Sequence, residues 1–283
     1  MVKNIEHVDL AGERPLSFCQ DIFLRGVNVT GGEDALLECE NVEAHDCTFS
    51  GTHALWHNIH AKIYHSRFTE SAVSSIWYDD DIAFARNQVE SPRIFRHAYN
   101  LDIDDCVFSN SSEDFWSCSH VNIKNCTFEQ AGYLFFRSDN VDGENLEIRG
   151  DSSFQYVLNV TLHNCRISGE EALWEAQNVK VYDSVLEGDC LGWHSSRLHL
   201  INCKIKGRQP LCYCQNLIIE DCSFDEDCVN AFEYSSLIAN ISNRIPSVRN
   251  PLQGLISAQD YGEIIQDRND RSDGKCMIKK SGI

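Results

Sequence analysis

A four-residue fragment recurs along the chain at intervals too short for most folds. Asn125-Cys126-Thr127-Phe128 is echoed by Asp46-Cys47-Thr48-Phe49, Asp105-Cys106-Val107-Phe108, Asn164-Cys165-Arg166-Ile167, Asn202-Cys203-Lys204-Ile205 and Asp221-Cys222-Ser223-Phe224. Weaker copies centre on Val27, Ser66, Asn87, Leu146 and Ser184. With the Cys position as the anchor, the anchors fall at 27, 47, 66, 87, 106, 126, 146, 165, 184, 203 and 222, in steps of 19 to 21. Five residues before each anchor stand Ile22, Val42, Ala61, Ile82, Leu101, Val121, Val141, Val160, Val179, Leu198 and Leu217. Random placement would fill that column with apolar residues about one time in ten thousand.

The apolar positions −5, −3 and +2 keep a period of two over short pieces, which marks strands. The phase breaks between −3 and the anchor, so the chain turns a corner there. A coil of about twenty residues has no room for a strand, a helix and two loops, and no 3.6-residue period occurs. The Leu columns of leucine-rich repeats are absent. The pattern therefore predicts an all-β fold, a single-stranded right-handed parallel β-helix of about eleven coils of 19–21 residues, capped at both ends. The expected organisation is one domain, with an N-terminal cap at 1–20, the β-helix at 21–242, and a C-terminal cap and tail at 243–283. Asn or Asp recurs one and six residues before the anchor, where left-handed corners are tolerated. Gly51, Gly150, Gly169, Gly188 and Gly207, four after the anchor, mark a third turn.

The chain has fourteen cysteines, which could suggest disulfides or metal sites. Six occupy the anchor column, and Cys19, Cys39, Cys118 and Cys214 occupy the column at −8. Ser, Ala, Val and Asn fill the same columns elsewhere, so small, buried, reduced side chains are expected. Cys106/Cys126 and Cys203/Cys222 should stack without bonding. Cys212-x-Cys214 with Cys190 and His194 lacks paired metal-ligand spacing, so no metal and no cofactor is expected.

Gly12-Glu13-Arg14, Ile76-Trp77-Tyr78, Trp116-Ser117-Cys118, Leu191-Gly192-Trp193, Ala231-Phe232-Glu233-Tyr234, Ser247-Val248-Arg249-Asn250-Pro251 and Gly262-Glu263-Ile264-Ile265 carry a resemblance. The chain resembles a bacterial family filed as domain of unknown function 3737, nearly end to end. The resemblance implies a pectate-lyase-like β-helix without an established activity or catalytic residues to transfer. Some members are labelled hydrogenases; the thiolate motifs of a nickel-iron or iron-sulfur site are missing here.

Lys and Arg total 24 against 43 Asp and Glu, for a net charge of −19. Such a chain repels phosphate backbones and anionic membranes, so neither nucleic acid nor membrane is an expected partner. No apolar run spans a bilayer and no secretory leader is read, which points to a cytoplasmic protein. All five Trp share one column, at −10: Trp56, Trp77, Trp116, Trp174 and Trp193. Strict alternation from the small residues at −8 would turn this column inward. Arg96 and Gln155 in the same column would be costly inside, which hints at partial exposure, so the sequence leaves the direction of this column open. The column at −11 carries no charge and is expected to face the core.

The functional expectation is a carbohydrate or small molecule bound or processed on one aromatic-lined face. The residues singled out for binding are Trp56, His57, Trp77, Tyr78, Arg96, His97, Trp116 and Arg137. Asp80, His97 and Asp102 are the candidates for acid–base chemistry, with His97 expected to titrate beside Asp80. The alternative is a non-catalytic scaffold that engages a protein partner or further copies of itself.

Overall fold

The computed structural model describes residues 2–267 and 275–281. All regular structure in these residues is β-strand, and no helix is long and apolar enough to cross a membrane. Packing divides the chain into two compact units, 1–147 and 148–283. Each is a right-handed parallel β-solenoid, and together they hold about fourteen turns rather than the expected eleven. The additional turns come from strands outside the anchored repeats. Lys3–Glu6 pairs in register with Gln20–Arg25 at the start, and Gln253–Ile265 with Cys276–Lys280 at the end.

In the first unit the −5 column aligns as Ile22, Val42, Ala61, Ile82, Leu101, Val121 and Val141 on successive six-residue strands. None of these is more than 2% exposed. Because the strands are parallel and in register, each apolar side chain sits on its counterpart one coil away. Phenylalanines make this visible: Phe95, Phe115 and Phe135 stack at 4.6 Å per step, as do Phe108 and Phe128. Each fully buried ring contributes about 1.5–3 kcal/mol. The second unit repeats the arrangement with Val160, Val179 and Leu198.

The expected Asx corners are left-handed. Asn41, Asp81 and Asn100 at −6, and Asp46, Asp105 and Asn125 at −1, have φ between 53° and 60°. Their side chains ladder between coils, as in Asn145 Nδ2 to Asn125 Oδ1 at 2.9 Å and, in the second unit, Asn178 Nδ2 to Asn159 Oδ1 at 2.7 Å. The glycine turn has a steric cause in the second unit. A Cβ on Gly169 would lie 1.9 Å from the Gly150 carbonyl oxygen, and one on Gly188 equally close to that of Gly169.

The inward columns at −8 and the anchor have a second requirement beyond small size. Where the residue one coil later is Cys, Ser, Asn or Asp, its side chain accepts a hydrogen bond from the backbone N–H of these positions. Cys47 N donates to Ser66 Oγ, Ser66 N to Asn87 Oδ1, and Asn87 N to Cys106 Sγ. At −8, Cys39 N donates to Asn58 Oδ1 and Asn58 N to Asp79 Oδ1, both at 2.7 Å. Cys, Ser, Asn and Asp alternate in these columns because each offers a compact acceptor. All fourteen cysteines are free, twelve of them buried. Burial pushes the Cys118 and Cys214 thiols up to about 12, so they are unreactive. Cys203 N meets Cys222 Sγ at 3.3 Å without a disulfide.

Candidate aromatic binding face

The aromatic face of the first unit is set by a left-handed corner at −9. Leu36–Leu37, Leu55–Trp56, Ile76–Trp77 and Phe95–Arg96 form a four-stranded sheet of two-residue strands. The first residue of each is buried and the second half-buried. The next residues, at −9, adopt left-handed φ: His57 at 59°, Tyr78 at 64°, His97 at 52° and Ser117 at 53°. Each corner donates its N–H to the −10 carbonyl of the following coil, as in Tyr78 N to Arg96 O at 3.0 Å and His97 N to Trp116 O at 3.0 Å. The corner interrupts the alternation that would have turned the Trp column inward. The −11 column is buried, the −10 column half-buried, and His57, Tyr78, His97 and Arg137 are exposed.

Two ladders result, side by side. Along −10, Trp56 and Trp77 lie 5.6 Å apart, and Arg96 Cζ sits 4.9 Å from the Trp77 ring and 4.7 Å from that of Trp116. Trp116 continues to Phe136 at 4.3 Å. Along −9, His57 and Tyr78 rings are 4.9 Å apart, and Tyr78 and His97 stack at 5.2 Å and 15°. Arg96 is further held by Glu113 at 3.3 Å, while its buried Nε has no partner. Cation–π contacts of this kind contribute about 0.5–2 kcal/mol. Trp77 Nε1 donates to Arg93 O at 2.9 Å, which fixes that indole.

All eight residues singled out for binding therefore lie in these two adjacent columns. Phe136 belongs with them although it was not among the expected residues; its place in the −10 column, not its residue type, marks it. The acid–base candidates are arranged otherwise. His97 stacks on Tyr78, and Asp80 accepts from Asn100 Nδ2 at 3.1 Å; the expected His97–Asp80 pair is not formed. Desolvation, and then the Arg96 charge, hold His97 below the ordinary imidazole value. Asp102 lies on the outer strand surface and accepts from Asn122 Nδ2 at 2.8 Å. It pairs with Ala83 in the sheet, placing its backbone roughly 10 Å along the strand from that of Asp80.

Two other carboxyls are perturbed. Burial pushes Asp79 and Asp114 well above the ordinary carboxylate value, against the lowering effect of backbone N–H donors. Both are at most 1% exposed and keep one oxygen without a partner. They are interior groups, out of reach of a surface ligand. Among the described residues no cluster of three or more His, Cys, Asp or Glu could hold a metal ion. Grooves of about 560 Å³ beside Ile218 and Ile238, and of about 320 Å³ beside His60 and Lys62, include none of the aromatic-face residues.

The second unit carries its own cluster in the same columns. Trp174 and Trp193 are 5.4 Å apart, His194 and Tyr213 stack at 4.8 Å and 10°, and Tyr213 reaches Tyr234 at 5.9 Å.

A right-handed parallel β-solenoid with a polar-edged aromatic strip is the class that fold and face define. The chain belongs to the family described as protein of unknown function (DUF3737), which it matches over residues 3–279. No curated protein matches it. Among solved structures it is similar to PfbA, a surface adhesin of Streptococcus pneumoniae, at 6% identity and a TM-score of 0.49, covering 88% of this chain and 85% of that one. It is also similar to HetL, a pentapeptide repeat protein from the cyanobacterium Nostoc sp. strain PCC 7120, at 13% identity and a TM-score of 0.26, covering 83% and 89%. The catalytic domain of a GH87 α-1,3-glucanase in complex with nigerose matches at 9% identity and a TM-score of 0.30, covering 98% and 63%. Likenesses this distant carry no functional argument.

Proposed function

We propose that the protein binds a neutral carbohydrate on the aromatic face of the first unit. The observation that carries this reading is the pair of adjacent ladders, five rungs from Trp56 to Phe136 beside three from His57 to His97. Such a strip offers apolar ring surface together with indole, phenol, imidazole and guanidinium donors, the mixture that a sugar's C–H faces and hydroxyls require. A net charge of −19 disfavours polyanionic glycans. Binding without turnover is the form favoured here. The two carboxyls with raised pKa are interior, and Asp80 and Asp102 are already engaged by amide side chains, whereas glycoside hydrolysis needs an accessible acid and a second carboxylate about 5–9.5 Å away. The proposed setting is cytoplasmic.

A glycan array combined with a reducing-sugar release assay tests the reading. Wild-type protein is expected to retain a neutral glycan and release no reducing ends. Tyr78→Ala and His97→Ala are expected to lose retention while the melting temperature falls by no more than a few degrees. Retention unchanged in both variants would remove this face from consideration.

A further inference from the structure

Within each ladder of the first unit, neighbouring rungs cover part of each ring face, so a position without a ring leaves more of its neighbour's face open. A sugar ring prefers a face. The −9 ladder offers one where it is interrupted. His57, Tyr78 and His97 follow at steps of 4.9 and 5.2 Å; the next rung is Ser117, and the one after it Arg137. Ser117 has the same left-handed backbone as the ring-bearing corners but ends at a hydroxyl.

His97 and Arg137 therefore stand two coils, roughly 9.6 Å, apart with a short side chain between them. A six-membered ring placed midway lies about 4.8 Å from each, which is the spacing the ladder already uses. We propose that this gap is a subsite for one pyranose ring of a neutral glycan, stacked on His97 and covered by Arg137. This deepens, and rests on, the carbohydrate reading above.

The polar groups at the gap fit a sugar better than an aromatic side chain of a protein. Trp116, immediately before Ser117, has an indole Nε1 that donates to no protein acceptor among the described residues, unlike Trp77 Nε1. The Ser117 hydroxyl likewise makes no hydrogen bond among them. Arg137 is exposed, with Cζ 5.2 Å from the Phe136 ring. Hydroxyls on a pyranose rim satisfy the Trp116 and Ser117 donors; a phenyl ring has none to offer. His97 is held below the ordinary imidazole value, so it presents a neutral ring at pH 7.

Ser117→Tyr tests the gap by filling it. Tyrosine already occupies this column with the same backbone at Tyr78, so the variant supplies the missing rung. Isothermal titration with cellohexaose, maltohexaose and laminarihexaose would be run on wild type, Ser117→Tyr, Arg137→Ala and Tyr78→Ala. At least one sugar is expected to bind wild type, with affinity reduced tenfold or more in Ser117→Tyr at an unchanged or higher melting temperature. Arg137→Ala is expected to weaken binding and keep its melting temperature, which retains the test if Ser117→Tyr folds poorly. Wild-type affinity in both Ser117→Tyr and Arg137→Ala, with loss only in Tyr78→Ala, would overturn the gap and leave the face. No binding of any of these sugars by wild type would overturn both.

Discussion

The two units build aromatic clusters from the same columns, yet the clusters differ in continuity and in charge. In the second unit the −9 column runs His194, Tyr213, Tyr234, and the −10 column breaks after Trp193 at the buried Cys212. In the first unit the −10 column runs unbroken from Trp56 to Phe136 through Arg96, and the −9 column breaks at Ser117. The surrounding charges also differ. The first face carries Arg96 and Arg137, whereas the second carries Glu175 and Glu233, the latter paired with Arg249 at 3.1 Å. Ring stacking is thus a general way this solenoid builds one edge of its coils. Continuous stacking also stabilises the coils; the interruption at Ser117 adds a His97 ring face with no aromatic neighbour on that side and a hydroxyl that makes no hydrogen bond among the described residues.

The largest expected difference between the clusters concerns the indoles. Trp77→Ala should destabilise the protein by about 3 kcal/mol, because it removes a half-buried ring and one wall of the Arg96 sandwich. Trp193→Ala supports no cation and should cost about 2 kcal/mol. Chemical denaturation distinguishes them, and equal losses would show that Arg96 draws no support from Trp77.

Asp79 sharpens the comparison, since no carboxyl in the second unit is comparably perturbed among the described residues. Its folded pKa lies above the unfolded value of about 3.9. Between those values the unfolded chain is ionised while the folded chain still holds the proton, so stability falls as pH rises through that window. Asp79→Asn keeps the acceptor for Asn58 N and carries no charge. It should stabilise the protein by roughly 1–3 kcal/mol at pH 8 and by little at pH 4. Melting curves over that range check this, and parallel pH profiles for wild type and variant would contradict it.

The smallest expected effect is a matched pair. Tyr78 and Tyr213 are each interior rungs, flanked by rings on both sides. Replacing either by Ala should cost about 1 kcal/mol, but only Tyr78→Ala should diminish sugar binding.

The fold was legible because the repeat is strict and its inward columns are apolar, from Ile22 through Leu217. The corners at −6 and −1 were legible because Asn and Asp mark them. The corner at −9 was not, because Tyr78, Ser117 and Arg137 break the column and only His57 and His97 are of a type enriched in a left-handed backbone. That hidden corner decides the exposure of the Trp column, which alternation alone would have turned inward. The role of Cys, Ser, Asn and Asp79 as acceptors for the preceding coil was equally hidden, since composition reports their size but not the direction of a backbone N–H. His97 has Tyr78 as its neighbour: on stacked coils the nearest group is the one in the same column a full repeat away, not Asp80 two columns further on.

Backbone amide chemical-shift mapping tests the central claim most directly, using whichever of the three hexasaccharides binds wild type. If the interrupted ladder is the site, the largest perturbations fall on His97, Ser117 and Arg137, while His194, Tyr213 and Tyr234 stay unmoved. Perturbations centred on the second unit's cluster, or spread evenly over both ladders, would contradict it.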